Sequence, residues 1–166
     1  PIGTFYYRGH AESDRDPAHA RLQLPISEGT DLDDHFLPAG EFFGEFDEGH
    51  EWIPLPSRVV LSCCSSSSSA LFGGETIGLA AACILGGGAW EVIATATDVY
   101  DCTFTSAFDD HLAEAMTLPL SHDEALRRVQ VRMYDRWREF SLRGGISIDG
   151  DITYPHPLVW AMYQAI

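Results

Sequence analysis

A chain of 166 residues, 45% of them hydrophobic and 11% aromatic, has enough apolar material for the core of one ordinary domain. Twenty-five acidic against ten basic residues leave a net charge of −15, which argues against a nucleic-acid partner because phosphate contacts need Lys and Arg. The most apolar region, Ile77 to Val99, is broken by Gly86, Gly87, Gly88 and Glu91, so no membrane span is expected and the chain reads as soluble.

The acidity reads first as a solvated surface and second as an attraction for basic peptides. Four cysteines, two of them the adjacent pair Cys63-Cys64, lack the spacing of a secreted disulfide framework, and a reducing, cytoplasmic setting is expected. Pro1-Ile2-Gly3-Thr4 has neither the basic nor the apolar region of a signal peptide. The expectation is a piece of a longer protein.

In chain order, the aromatic run Thr4-Phe5-Tyr6-Tyr7-Arg8, bounded by Gly3 and Gly9, predicts a short strand with His10 just past its end. Ala11 to Pro56 is rich in Asp, Glu, Gly and Pro and reads as mostly loop. It contains a hairpin arm at Arg21 to Leu24 and a helical turn near Asp33 to Leu37. Arg58-Val59-Val60-Leu61-Ser62-Cys63 is a β-branched apolar run suited to a strand buried on both faces, with Cys64 at its carboxyl end. After the serines at 65–69, Glu75 to Leu85 predicts a helix ended by Gly86-Gly87-Gly88, and Trp90 to Thr97 a third strand.

Strand, helix and strand in that order imply a parallel sheet with a right-handed crossover. Two further helices are predicted, Thr103 to Met116 with Asp109 and Glu114 exposed, and Ser121 to Leu142, where Ser121 and Glu124 have capping-box spacing. The chain ends in a strongly apolar segment, Pro157 to Ile166.

Functional side chains of a parallel α/β sheet gather outside the carboxyl ends of its strands, where both His10 and Cys64 are placed. They lie 54 residues apart, from 10 to 64, near the roughly fifty by which the His precedes the Cys in caspases. A thiol is only slightly ionised at neutral pH, and an imidazole beside it can take its proton, giving a nucleophile that attacks a peptide carbonyl to form a thioester. The developing oxyanion needs backbone N–H donors, for which the turn after His10, at Ala11, and the amide of Cys64 are the candidates. Period-two alternation points Cys63 and Cys64 in opposite directions.

The wider pattern resembles the CHAT domain of the caspase and separase superfamily. Phe5-Tyr6-Tyr7-Arg8-Gly9-His10 is similar to the family's catalytic-His strand, and Val59 to Ser65 to its nucleophile strand, with Cys64 at the nucleophile's place and Cys63 at that of a small buried residue. Gly74 to Leu79 and Ala82 to Ala89 resemble the family's helix and glycine turn, while Glu124 to Gln130 and His156 to Ala161 resemble its closing motifs. The chain departs from the family at Ala11, where Gly is usual, and at Thr97, where Trp is usual.

The resemblance implies a caspase-like three-layer sandwich, with a mainly parallel sheet flanked by helices. It also implies a cysteine peptidase without cofactor acting on protein or peptide substrates under a sensor or repeat module. The family's usual sheet and helix material before the His strand is missing, so part of the N-terminal half of the domain is expected to lie outside residues 1–166. Asp98-Val99-Tyr100-Asp101 resembles the segment that receives a basic P1 side chain in separases, which implies cleavage after Arg or Lys with Asp101 favoured over Asp98 for the contact. Both aspartates also suit a turn or an N-cap before the helix at Thr103.

Other chemistries fit less well. No Cys-x-x-Cys or His-Glu-x-x-His spacing supports a metal site, and no Gly-x-Ser-x-Gly supports a serine nucleophile. The serines at 65–69 read as a loop rim beside the site, and Glu75 as an anchor of that loop or a cap of the helix after it. The alternatives to a peptidase are a catalytically silent caspase-like scaffold and a cysteine transferase or hydrolase acting on small acyl groups.

Overall fold

The structure is a computed structural model and describes residues 3–12, 20–25, 35–43, 54–64, 70–72, 75–99, 102–142 and 157–166. The central sheet is built from β1 (Thr4–Arg8), β5 (Arg58–Ser62), β8 (Glu91–Thr95) and β9 (Tyr163–Ala165), in the order β1-β5-β8-β9. β1, β5 and β8 are parallel and β9 is antiparallel to β8. This is the mainly parallel α/β sheet expected of a caspase-like sandwich, and helices lie on both faces.

Side-chain alternation divides the sheet between two cores. Val59, Leu61, Cys63, Val92 and Ala94 point to one face, where they pack with Leu79, Ala82 and Cys83 of α1 (Leu79–Leu85). Val60 and Ile93 point to the other, against Phe108, Leu112, Val129 and Met133 of α2 (Thr103–Met116) and α3 (His122–Leu142). A short helix, α4 (Pro157–Trp160), leads into β9.

Beside the first core, β2 (Ala11–Glu12), β3 (Arg21–Gln23) and β4 (Phe36–Pro38) form a small antiparallel sheet that includes the expected hairpin arm. Of the helical turn expected near Asp33 to Leu37, residues 33–34 lie outside the described residues, His35 is in 3-10 conformation, and the chain then turns to a strand over Phe36–Pro38 before a further 3-10 segment at Ala39–Phe43. Leu37 is drawn into strand geometry because it sits opposite Leu22, which is fully buried.

The predicted helix from Glu75 begins only at Leu79. Its first residues instead form β7 (Glu75–Ile77), antiparallel to β6 (Ala70–Phe72). The β-branched pair Thr76-Ile77 prefers an extended backbone, and Gly78 stands at the N-cap. Glu75 therefore lies four positions ahead of the helix it was expected to cap. The serines at 65–69 and the glycines at 144–145 lie outside the described residues.

The Thr103–Met116 helix and the long helix after it form as predicted, and the Ser121 hydroxyl accepts from the Glu124 amide at 3.3 Å. The Glu124 carboxylate turns to Arg127 and Arg128. Asp109 departs from expectation: it is 3% exposed, not a surface residue.

His122, in the first turn of α3, is buried, and among the described residues neither ring nitrogen has a hydrogen-bond partner. Burial holds its pKa below the usual 6.5, opposed by Glu91 at 4.0 Å. The fold therefore favours the neutral ring, whose contribution is complete above 6.5 and is lost as pH falls through the lower folded value. Urea unfolding midpoints are expected to hold above that pH and fall below it, with a shallower fall in His122→Leu.

Candidate active site

The site is built by the β1–β5 register. Thr4 pairs with Arg58 and Arg8 with Ser62, a constant offset of 54, and the Gly9 amide still donates to the Ser62 carbonyl at 3.3 Å beyond the strand ends. His10 and Cys64 each stand two residues past the ends of these strands, with the same offset in the chain. Their spacing in the chain is thus the register of two neighbouring parallel strands.

Alternation then sorts the side chains. Cys63 is fully buried in the core on the α1 side, whereas Cys64 is half-buried and opens on a cleft of about 290 Å³ lined by Arg8, Gly9, His10, Ser62, Cys64, Val99, Thr105 and Asp109. The buried Thr95 hydroxyl, at the end of β8, donates to the Cys63 carbonyl and so braces the turn that carries Cys64. Cys83, deeper on the α1 side, has its thiol pushed up to about 12 by burial and is inert by comparison.

The backbone of His10 is pinned from two sides. Its carbonyl accepts from the Gln23 amide at 2.9 Å and from the Tyr7 hydroxyl at 2.6 Å, the phenol proton being shared with the Gln23 carbonyl at 2.7 Å. Gly9 permits this closure, because a Cβ there would lie 2.7 Å from the Tyr7 hydroxyl oxygen. Gly9→Ala is expected to dislodge that hydroxyl and cut any Cys64-dependent turnover about ten- to a hundredfold, as misplacing a catalytic group does. Tyr7→Phe should lower turnover in the same direction without the clash, measured as kcat/KM on one peptide.

Ala11 sits opposite Leu22, and the Gln23-to-His10 bond beside it makes this a non-hydrogen-bonded pair of the β2–β3 ladder. Its amide is therefore not spent on β3. Asp98 is exposed on the segment leaving β8, next in the chain to the cleft residue Val99 but not itself among the lining residues, and Asp101 lies outside the described residues. The N-cap of α2 is Cys102, so Asp98 does not cap that helix.

The most connected charged group in the cleft is one that the sequence reading put on the surface. Asp109 Oδ1 accepts from the hydroxyls of Tyr6 at 3.1 Å and Tyr163 at 3.0 Å. Oδ2 accepts from Ser62 at 3.0 Å and faces Arg8 Nε at 3.3 Å. Burial raises the Asp109 carboxyl above its usual range, although the three hydroxyl donors and the Arg8 charge pull it down. Burial and the same carboxylate also push the Tyr6 and Tyr163 phenols up.

Two signals could have located these residues. Arg8 and Ser62 end their strands two positions before His10 and Cys64, and all four line the cleft. Thr105, Asp109, Leu112 and Met116 form a helical stripe at the spacing of a buried face, and all four are buried.

No curated protein and no solved structure matches the chain. The family model described as CHAT domain matches residues 2–166, in keeping with the mainly parallel sheet and its flanking helices. This chain belongs to the CHAT domain family and has its caspase-like fold.

Proposed function

We infer that the protein is a cysteine endopeptidase with Cys64 as nucleophile and His10 as general base. The observation that carries this is that the two residues, each just past the end of one of two adjacent parallel strands, line one cleft. His10 takes the Cys64 proton, and the thiolate sulfur attacks the scissile carbonyl carbon. The oxyanion is held by the amides of Ala11 and Cys64. As the C–N bond breaks, the His10 imidazolium protonates the leaving amine, and the acyl group stays on sulfur as a thioester. Water, deprotonated by His10, then hydrolyses the thioester and regenerates the thiol.

Cleavage after Arg or Lys belongs to the same proposal, with the carboxylates of Asp98 and Asp101 as the candidates to receive the basic side chain and the net charge of −15 drawing basic peptides towards the protein. A sensor or repeat partner would control access to the site. The test is a positional peptide-library cleavage assay on wild type and Cys64→Ala. Cleavage after basic residues that vanishes in the variant supports the proposal. No Cys64-dependent cleavage, and no Cys64-dependent labelling by an electrophilic Arg or Lys peptide probe in an activated preparation, would favour a silent scaffold.

A further inference from the structure

Four side chains of the sheet beneath meet Asp109, and three of them donate hydroxyl hydrogen bonds to it: Tyr6 on β1, Ser62 on β5 and Tyr163 on β9. The fourth, Arg8, brings the only charge, and its side chain is 45% exposed against 3% for Asp109. It meets the carboxylate through a single Nε contact at 3.3 Å, without the two-pronged fork that makes an Arg–carboxylate pair strong. Its outer nitrogen donates to the Ser106 hydroxyl at 2.5 Å, one turn earlier on α2. Asp109 is thus firmly held from below and weakly covered from the cleft.

The position matters as much as the bonding. Ser62, bonded to Asp109, ends β5 two residues before Cys64, so the two Cα atoms are at most about 7 Å apart, and both side chains line the cleft with Asp109. A substrate side chain descending from a carbonyl at Cys64 would run towards Asp109. An extended arginine spans that distance and an aspartate does not. The cleft volume of about 290 Å³ is at the small end for ligand sites and suits one side chain.

We propose that Asp109 is the specificity-determining carboxylate for a guanidinium on the substrate, and that Arg8 is an internal guanidinium occupying the place the substrate takes. The exchange is one cation for another, so the buried carboxylate is never left uncompensated, the step that would be most costly. Arg8, already half in solvent, regains water when it leaves. Burial keeps the Asp109 carboxyl raised even with Arg8 present, consistent with a site whose anion is incompletely neutralised. This goes beyond Asp98 and Asp101 and rests on the peptidase reading for the nature of the ligand, an arginine side chain of a peptide.

The test is calorimetric binding in the Cys64→Ala background, which needs no turnover. The probes are the Nα-acetyl amides of arginine, of citrulline as its neutral isostere, and of aspartate. Adding Arg8→Ala is expected to tighten the arginine probe about tenfold or more and leave citrulline unchanged, and adding Asp109→Asn should cancel the gain. Thermal unfolding reports whether each variant is folded, and the Arg8→Ala comparison decides alone if the Asp109 variant is not. No gain in folded Arg8→Ala would overturn the proposal and make the pair a structural tie between β1 and α2. So would tighter binding of the aspartate probe by the protein that keeps Arg8, because Arg8 would then be the recognising group. If the gain appears but no Cys64-dependent cleavage is found, the subsite stands and the peptidase reading fails.

Discussion

Cys64→Ala is expected to remove peptide hydrolysis almost completely, by at least about 10⁴-fold in kcat/KM, since the covalent step depends on the Cys64 thiolate. His10→Ala should cost a comparable factor, and the double variant little more, because two residues acting as one unit are not additive. The informative control is Cys63→Ala. Cys63 lies beside Cys64 in the chain but in the core on the other face of the sheet, so its loss should cost about 1 kcal/mol of stability and leave the chemistry in place. Equal losses of activity from both single cysteine variants, with folding intact, would reject the assignment of Cys64.

The largest expected effect on stability is at Asp109. Asp109→Ala removes the acceptor of the Tyr6, Tyr163 and Ser62 hydroxyls and the charge facing Arg8, leaving the Ser62 and Tyr163 hydroxyls bonded only to each other beside a buried gap, and should cost about 3–5 kcal/mol, read from denaturant unfolding. That is a large share of the stability of a single domain, about 5–15 kcal/mol. Asp109→Asn keeps an acceptor in place and should cost less. The pH dependence separates charge from hydrogen bonding. With the folded pKa raised above the ordinary 3.8, the group's contribution is complete below 3.8 and is lost as pH rises through the folded value. Asp109→Asn should remove that part of the pH profile.

The two strands carrying His10 and Cys64 were legible because their apolar runs are dense, bounded by turn residues and long enough to be fully buried. The Thr103–Met116 helix and the helix from His122 were legible for a similar reason, helical periodicity reinforced in the second by the Ser121 and Glu124 cap. Glu75 to Ile77 was misread as helix, because a short apolar run does not reveal whether a strand partner waits nearby, and Ala70–Phe72 supplies one. β9 was not foreseen either. Three residues carry little period, and Tyr163-Gln164-Ala165 becomes a strand only by pairing with β8.

Asp109 shows the same limit from the side of function. An aspartate on an amphipathic helix, followed by a second aspartate, normally belongs on the wet face. Here it is buried because Tyr6, Ser62 and Tyr163, from three separate strands, converge on it with hydroxyl donors.

The sequence by itself determined the parallel α/β class, the family resemblance, and the choice of His10 and Cys64 as candidates, since these depend on local periodicity and on residues near in the chain. Only the tertiary structure decided that the interval of 54 residues is a strand register, that Cys63 and Cys64 serve opposite faces of the sheet, and that Arg8 and Asp109 meet inside the cleft. Those facts depend on contacts between residues as far apart as 8 and 109, which burial and charge pairing select only once the sheet and α2 are packed together.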